Sequence, residues 1–441
     1  MLVFPSSTTS LSFAHAVVAT MAVTLFALLL AVLSLMLQKE RASRLLAPVP
    51  GPKGRFLIGL LPEVIRNLHR IHDFQVDLMK KYGGRTKVTW SLFGNNLLLL
   101  ADPADVEHVL EKNVNNWVKS EHFRQSFGKE FGRSLLGINH AHAEDGGALF
   151  RIQRKVLTRV FTTNNFKSFT EGIFLKYILE LVDVIRQQGG QCDMHTVASR
   201  FTLQTTFDIV CGVSLQSFDD LGVQFIASMD YVFGTVTARV FTRPHFRYLW
   251  WCMPSEYRYK REVKVVLDLV DGILEKRLAE SEEELAKRYD VLSLLIRKAR
   301  ELGGEDATIL DVPTLRSIIA LMLFASRDTT ASCIVYAFYT LAARPAEQDK
   351  ILEELRGVDP EAPLTYSDAG LRMCPGMGMA LLEAKLFVAI LLRAFHVDMQ
   401  NEKSVQWRPN ASFPTLSYLG GLPLQLSPRR RPAPPATASQ R

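Results

Sequence analysis

The chain has 441 residues, 48% of them hydrophobic, and a formal net charge of +7. This length can bury a large core, and because acidic residues are interspersed among the basic ones, a nucleic-acid groove is not expected. The five cysteines are scattered, odd in number and without Cys-x-x-Cys spacing, which excludes a disulfide scaffold and a zinc ribbon and suits a reducing compartment.

The N-terminal segment is the first predicted element. None of the first 38 residues is Asp, Glu, Lys or Arg, and residues 14–37 are almost wholly apolar, whereas crossing a bilayer takes about 20 such residues. Lys39, Arg41 and Arg44 follow directly, so the positive-inside rule places the rest of the chain in the cytoplasm. The alternative is a cleaved signal peptide, which has a shorter apolar core preceded by basic residues. We therefore predict a single-pass membrane anchor over 1–46.

The region that follows is predicted to form one large domain over 47–428, because nothing between Gly51 and Arg429 has the composition of a linker. It begins with a stiff proline-rich strap over 47–59. A β-rich run on each side of a Gly-Asn-Asn turn predicts a hairpin over 87–101. The basic, proline-rich tail 429–441 predicts disorder.

The remainder is predicted to be mostly helical. An apolar face from Phe174 to Ile185 indicates a helix that stops at Gly189-Gly190. A second amphipathic pattern over 263–288 ends in a long charged stretch. The longest candidate helix runs from Pro313 to about Ala343 and would span roughly 45 Å, enough to cross a whole domain.

Cys374 lies in the glycine-rich turn Gly370-Leu371-Arg372-Met373-Cys374-Pro375-Gly376, directly before an apolar helix pattern. Glycines let a backbone bend closely around a group, so that its N–H groups point at the sulfur. A thiolate near a helix N-terminus is stabilised by the helix dipole, as a metal-bound cysteine requires. A buried free cysteine in a tight turn explains the same pattern, so both interpretations stay open on these residues alone.

Asp328, Thr329 and Thr330 interrupt the otherwise apolar pattern of the longest helix. Adjacent threonines are poor helix formers, and burying an unpaired aspartate is costly. One interpretation is a local kink with a polar groove that handles protons or water. The other places Asp328 on a solvated face, which the apolar residues around it make less favourable.

Together these stretches resemble the cytochrome P450 family of haem-thiolate monooxygenases. Gly370-x-Arg372-x-Cys374-x-Gly376 matches the haem-ligand loop, and Ala380-x-x-Glu383-x-Lys385 matches the helix after it. "FASRDTTAS" resembles the oxygen-activation stretch of the central helix. Weaker matches are "VPGPKG" to the proline hinge, "EDGGALFRIQRK" to a propionate-binding segment and "GGLPLQLSPR" to the closing strand. The resemblance covers nearly the whole chain after the anchor, and the hairpin-to-central-helix region is most similar to the fatty-acid ω-hydroxylase branch.

The resemblance implies a mainly α fold with small β-sheets, haem b as cofactor and an assignment of roles. These are the axial iron ligand (Cys374), residues that bind the haem (Arg154, Gly370, Arg372, Gly376) and catalytic proton carriers (Asp328, Thr329). It also implies hydroxylation of a hydrophobic, fatty-acid-like substrate with electrons from an NADPH-dependent flavoprotein reductase, since the chain has no flavin or nucleotide fingerprint. The location implied is the endoplasmic reticulum membrane, with the catalytic domain in the cytoplasm.

The sequence departs from the family pattern most clearly before the cysteine loop. "LTYSD" continues directly into "AGLRMCPG", where the family has a Glu-x-x-Arg helix, a meander and several strands. We therefore predict an internal deletion of several dozen residues near 368–369, and Ser367 takes the place of the loop's usual phenylalanine. Ser326 replaces a glycine of the central helix, where its hydroxyl is expected either to crowd the haem or to bond the helix backbone. Phe150 replaces a tryptophan that donates to a propionate.

Two functions remain open from the sequence. The retained motifs favour a haem monooxygenase, whereas the missing segment favours a catalytically inactive splice or gene-model variant, at most a membrane-tethered haem-binding or interaction protein. A third class, a haem-free helical membrane adaptor, leaves Cys374 and the Asp328-Thr329 pair unexplained.

Overall fold

The structure is a computed structural model that describes residues 7–55, 58–89, 96–141, 147–160, 169–214, 220–241, 252–302, 310–355, 374, 376–400, 406–409, 416–419 and 421–429. Its backbone divides into two compact units, 1–106 and 107–441. Because this division falls inside 47–428, the single domain expected there stays a prediction.

Helices make up most of the described chain, which confirms the mainly α class. In chain order they are α1 Ser7–Leu45, α2 Leu61–Arg66, α3 Ile71–Tyr82, α4 Pro103–Glu107, α5 Glu121–Ser126, α6 Gly128–Phe131, α7 Gly147–Val160, α8 Leu175–Gln187, α9 Met194–Cys211, α10 Asp220–Phe241, α11 Pro254–Leu278, α12 Glu282–Ala286, α13 Val291–Leu302, α14 Val312–Ala343, α15 Pro345–Glu354 and α16 Met377–Ala394. Single turns of 3-10 or π geometry lie at Leu68–Arg70, His108–Lys112, Val114–Asn116 and Thr170–Phe174.

The strands form three small antiparallel sheets. They are β1 Arg85–Thr89, β2 Asn96–Leu100, β3 Gln191–Asp193, β4 Phe395–Met399, β5 Gln406–Pro409, β6 Leu416–Leu419 and β7 Pro423–Pro428. β1 pairs with β2, β5 pairs with β6, and the third sheet has the order β3-β7-β4. The predicted hairpin is therefore confirmed by the β1–β2 pairing. Residues 90–95, which include the end of its predicted first strand and Gly94-Asn95 of its predicted turn, lie outside the described residues. The predicted closing strand is β7.

The first unit contains α1 and a small cluster around the hairpin. α1 is 39 residues long and includes the window Val17–Ser34, which is apolar and long enough to cross a membrane. The cluster consists of buried apolar side chains from the segments that follow α1: Leu60, Val64, Leu78 and Val88.

α8 ends at the glycine pair, as the sequence predicts. Gly189 and Gly190 have φ angles of 71° and 82°, a left-handed conformation that glycine adopts without strain. A Cβ atom at Gly190 would lie 2.1 Å from the carbonyl oxygen of Leu426. Only glycine therefore lets the chain leave α8 and pass this close to β7.

The amphipathic pattern over 263–288 corresponds to two helices. α11 starts earlier, at Pro254, and ends at Leu278, and α12 starts after Ser281. The Ser281 hydroxyl accepts from the backbone N–H of Glu284, while the Glu284 carboxylate accepts from the N–H of Ser281. This capping box satisfies the free N–H groups of a new helix start and separates it from α11.

α14 runs through the core of the second unit and begins and ends almost where the sequence predicts. Asp311 caps it by accepting from the N–H of Thr314 at 2.9 Å, and Pro313 occupies its first turn. The helix packs against α9, α11, α16 and β4. It thereby brings the Asp328 region of the chain next to the helix that follows Cys374.

Arg429, the first residue of the predicted tail, is bonded to the end of α16 and the start of β4. Its backbone N–H donates to the carbonyl oxygen of Ala394 at 3.0 Å, and its guanidinium donates to the carbonyl oxygen of Phe395 at 3.0 Å. The rest of the tail, 430–441, lies outside the described residues.

Candidate functional site

One stripe of α14 is exposed although most of the helix is buried. Ala325, Thr329 and Cys333 are exposed, and their four-residue spacing places them on one face of the helix. Neighbouring positions such as Phe324, Thr330 and Ile334 are buried in the core. A core helix that leaves a continuous stripe uncovered at its centre can offer that stripe to a ligand.

Asp328 lies beside this stripe and is mostly buried. Its side chain is 17% exposed, and one carboxylate oxygen lies 3.6 Å from Nε of Arg327. Burial raises the pKa of Asp328 above its ordinary value, and the Arg327 guanidinium offsets part of that rise. The solvated-face interpretation of Asp328 is therefore wrong.

Arg327 connects Asp328 to a second carboxylate. Its Nη1 donates to Oδ1 of Asp230 on α10 at 2.5 Å, and Asp230 is half exposed. The guanidinium is thus shared between a buried carboxylate and one that reaches solvent. Sequence reasoning missed this pair, because Asp230 lies 97 residues away and carries no motif.

The hydroxyl groups of this stretch bond to backbone and to α9. The Thr329 hydroxyl donates to the carbonyl oxygen of Ala325 at 2.7 Å. The Ser326 hydroxyl donates to Met322 at 2.7 Å and lies 2.8 Å from the hydroxyl of Thr206. Of the two outcomes expected for Ser326, the structure has the backbone hydrogen bond.

Cys374 is exposed and directly precedes α16, so the buried-cysteine alternative is wrong. Its carbonyl oxygen accepts from the N–H of Met377 at 3.4 Å, and the carbonyl of Gly376 accepts from Ala380 at 2.9 Å. A Cβ atom at Gly376 would lie 4.0 Å from the Cys374 sulfur. The sulfur is therefore accessible near the N-terminal end of α16.

The residues expected to bind propionates are only partly described. Arg154 is half-buried on α7, and Gly370 and Arg372 lie outside the described residues. Phe150, which replaces the expected tryptophan, is buried with its ring 5.8 Å from that of His140 and 5.6 Å from Nζ of Lys119. Its side chain has no donor for a propionate.

The Asp328 and Cys374 regions lie on or beside neighbouring helices, because α14, which holds Asp328, packs against α16, which follows Cys374. Phe387 of α16 lies between Phe201 of α9 and Phe338 of α14, with ring centroids 4.8 and 5.8 Å away. Glu383, buried on α16, shares a hydrogen bond with the Thr205 hydroxyl of α9. Thus α9, α14 and α16 pack against one another; α14 carries the exposed stripe, and the exposed Cys374 precedes α16.

Comparison with known proteins shows a match to one protein family. The family model described as Cytochrome P450 matches residues 49–369 and 364–419, two segments that meet within 364–369. Cytochrome P450 704B1 of Arabidopsis thaliana is 26% identical over 333 residues, 71% of this chain and 60% of the relative. Cytochrome P450 94B1 of the same plant is 26% identical over 323 residues, 69% of this chain and 59% of the relative. The chain therefore spans about six tenths of the length of these relatives.

A solved structure shares the fold. The structure titled "Retinoic acid bound cyanobacterial CYP120A1" superposes with a TM-score of 0.65, covering 86% of this chain and 99% of that one. Their sequence identity is 15%, so this likeness concerns the fold and not the chemistry.

Proposed function

The chain belongs to the cytochrome P450 family, and from that premise we propose that it is a haem-thiolate monooxygenase that hydroxylates an apolar, fatty-acid-like substrate. The observation that carries this proposal is the exposed Cys374 thiol before α16, a helix packed against the one that holds Asp328 and Thr329. Sequence similarity to the ω-hydroxylase branch supports a fatty-acid-like substrate.

The residues present fit a haem. A soft thiolate is a suitable axial ligand for haem iron, and Cys374 is the exposed cysteine at the glycine turn. The uncovered stripe of Ala325, Thr329 and Cys333 offers a helix face with small side chains, against which a flat group can lie. Arg154 and Arg372 are the cations that we assign to the propionates, and Gly370 and Gly376 to the bend around the sulfur.

The chain's own residues would hold and transfer protons at the site. When bound, haem supplies the reductive activation of dioxygen that this chemistry requires. Because burial raises the pKa of Asp328, its carboxyl exchanges a proton closer to neutral pH than an exposed aspartate does. Thr329 lies one residue further, and its hydroxyl can rotate from the Ala325 carbonyl to accept or pass that proton. The electrons would come from a separate NADPH-dependent flavoprotein reductase.

The membrane location is also part of the proposal. α1 offers a span at Val17–Ser34, and Lys39, Arg41 and Arg44 follow it. A single-pass anchor in the endoplasmic reticulum membrane, with the second unit in the cytoplasm, would place the site near lipid-soluble substrates.

The carbon-monoxide difference spectrum of the haem-supplemented protein tests the ligand. We expect a thiolate-type Soret band that Cys374→Ser abolishes. Cys252→Ser is the matched control, because Cys252 is also exposed but lies outside the stripe of α14. An unchanged band in Cys374→Ser, or no band in any form, would contradict a haem-thiolate site.

A second candidate function is a catalytically inactive, membrane-tethered haem-binding or interaction protein. Met377 and Leu381, in the first two turns of α16 after Cys374, are 40% and 44% exposed, as expected if a segment that normally covers this helix is absent. The two-segment family match also supports a deletion near 368–369. A cysteine loop without supporting structure is not held within about 0.5 Å of the productive geometry, so we expect little turnover from the chain as it stands.

Turnover of a fatty-acid-like substrate, with reductase supplied, separates the two candidates. The 441-residue form and a form with the missing segment restored from the gene would be compared at equal haem content. Turnover that appears only in the restored form favours the inactive variant for this chain. Equal turnover in both forms would show that the segment is dispensable.

A further inference from the structure

α9 carries three buried threonines, Thr202, Thr205 and Thr206, that lie between α14 and α16. They are 0%, 1% and 3% exposed, so their hydroxyl groups must find partners within the protein. The partners described below lie on both neighbouring helices. We call the group formed by these threonines, Ser326 and Glu383 the threonine clasp.

On the α14 side, the clasp contacts the stretch that leads to Asp328. The Thr206 hydroxyl lies 2.8 Å from that of Ser326, which donates onward to Met322 at 2.7 Å. The Thr202 hydroxyl lies 3.0 Å from the carbonyl oxygen of Arg327. α9 is therefore bonded to α14 at the two residues directly before Asp328.

On the α16 side, the clasp ends at Glu383, nine residues after Cys374. Oε1 of Glu383 lies 2.5 Å from the Thr205 hydroxyl, which also lies 3.1 Å from the carbonyl oxygens of Phe201 and Thr202. A hydroxyl has one hydrogen to donate. If Glu383 is a protonated acid, it donates to Thr205, and Thr205 donates to a carbonyl of α9. If Glu383 is ionised, the hydrogen must point to the carboxylate and both carbonyls lose it.

We propose that Glu383 is a positioning residue that acts as a neutral carboxylic acid and, through Thr205 and α9, holds the cysteine end of α16 against the Ser326–Thr329 stretch of α14. This inference rests on the proposed function, because a haem-thiolate site needs the cysteine end of α16 and the Ser326–Thr329 stretch of α14 to be held in a fixed arrangement. The clasp itself is a property of the protein without haem.

The surroundings of Glu383 favour the neutral form. Burial raises the pKa of Glu383 to about 8, and the Thr205 hydrogen bond offsets part of the rise. Among the described residues of the elements packed around it (the turn Thr170–Phe174, α8, α9, α14, α15 and β4), no charged side chain contributes to that shift. An ionised Glu383 would thus be an unpaired charge inside a helix interface, which is costly.

The sign of the pH dependence follows from linkage. Between the ordinary value of 4.5 and about 8, native Glu383 holds a proton that the unfolded chain has released. The free energy of unfolding therefore does not change with the titration of this group below that window, falls as pH rises through it, and stays at the lowered value above it.

The first experiment compares thermal unfolding of the full chain in detergent, without haem, from about pH 5 to about pH 9. In Glu383→Gln the side-chain amide still donates to Thr205 and never ionises. We expect the midpoint of the native protein to fall by several degrees relative to that of Glu383→Gln as pH rises. Glu256→Gln is the matched control, because Glu256 is equally buried but paired with Arg239, so that variant should keep the pH-dependent fall of the native protein. If the unfolding midpoints of the native protein and of Glu383→Gln change with pH in parallel, the proposal that Glu383 is a neutral acid is overturned.

The second experiment measures the position of the cysteine end by alkylation, with Cys374 and Cys252 quantified by mass spectrometry. Thiol reactivity follows access and thiolate character, and both cysteines are exposed. We expect the Cys374:Cys252 rate ratio to change several-fold in Glu383→Leu and in Thr205→Val, and to return to the native ratio in Glu383→Gln. An unchanged ratio in Glu383→Leu would overturn the positioning role. Neither experiment requires haem, so a failure to bind haem would count against the proposed function alone.

Discussion

α1 and α14 are both long apolar helices, and the two differ in what surrounds them. Each contains a window apolar enough to cross a membrane, but none of the α1 window is buried, whereas 61% of the α14 window is. α14 also carries Asp328, Arg327 and buried hydroxyl contacts to α9. Length and apolar composition therefore do not separate a membrane span from a core helix. The partners of the polar groups distinguish the two kinds of helix, because the polar groups of a core helix can form hydrogen bonds to neighbouring helices.

The largest expected difference between the two helices is their tolerance of a new charge. Ile334 of α14 is 0% exposed, and a lysine buried there without a partner would lose about 3–5 pKa units, equivalent to about 4–7 kcal/mol. That is a large part of the roughly 5–15 kcal/mol by which domains are stable. We expect Ile334→Lys to abolish cooperative unfolding in circular dichroism melts.

Leu29→Lys in α1 is the matched control for that substitution. Leu29 is 59% exposed, so a lysine at this position is not buried inside the protein, and its cost falls on the insertion of α1 and not on the unfolding of the core. The melting curve should match that of the native protein. A similar loss of folding in both variants would mean that α1 is packed into the protein, and the contrast between the helices would fail.

Membrane association is the next largest expected effect. Removal of residues 1–44 takes away the whole apolar window and its basic flank, so the protein should move from the membrane pellet toward the soluble fraction. Removal of 430–441, a basic segment of similar charge character, should leave the distribution unchanged. If the full-length protein is already soluble after lysis, α1 is not an anchor.

Truncation of the α14–α16 interface should have a smaller but clear effect. Phe387 is 0% exposed and contacts aromatic rings of α9 and α14. Phe387→Ala should lower the free energy of unfolding by about 3–5 kcal/mol, as measured by denaturant titration.

Met377→Ala, at an exposed position of the same helix, provides the comparison. It should change that free energy by no more than about 0.5 kcal/mol. If Phe387→Ala is as mild as Met377→Ala, α16 does not pack on α14 as described.

The sequence could predict α14 because its signals are local. Pro313 near the start, the apolar pattern and Pro345 after the end fix its bounds to within one residue. The break between α11 and α12 was missed because the amphipathic pattern continues across it, and the capping box of Ser281 and Glu284 is a short signal inside a long charged stretch. Local pattern thus predicts an element better than it predicts an interruption of one.

The residues of the candidate site also divide into those that local sequence predicts and those that it does not. Cys374 and Asp328 could be found from motifs, because their neighbours in sequence carry the signal. The Arg327–Asp230 pair and the Glu383–Thr205 contact join residues 97 and 178 positions apart. Nothing in one chain's sequence shows which threonine faces which glutamate, since that depends on how the helices pack.

The smallest effect should come from a single hydroxyl group, and it compares the two helices most directly. Ser326 in α14 and Thr24 in α1 each donate to the carbonyl oxygen four residues before, at 2.7 and 2.6 Å. Ser326 also meets Thr206 of α9, whereas Thr24 is exposed. Ser326→Ala should therefore cost about 1 kcal/mol, the net value of a typical buried hydrogen bond, and Thr24→Val should change the free energy of unfolding by less than about 0.5 kcal/mol.

A double-mutant cycle decides whether the Ser326 effect comes from the contact with α9. Thr206 keeps its second contact, the carbonyl oxygen of Thr202 at 2.5 Å, so Thr206→Val should cost a similar amount. If the two hydroxyls stabilise each other, the double variant should lose less than the sum of the single variants, by at least about 0.5 kcal/mol. Strict additivity would mean that Ser326 bonds only its own helix. In that case α14 would use its polar residues as α1 uses Thr24, and burial alone would distinguish the two helices.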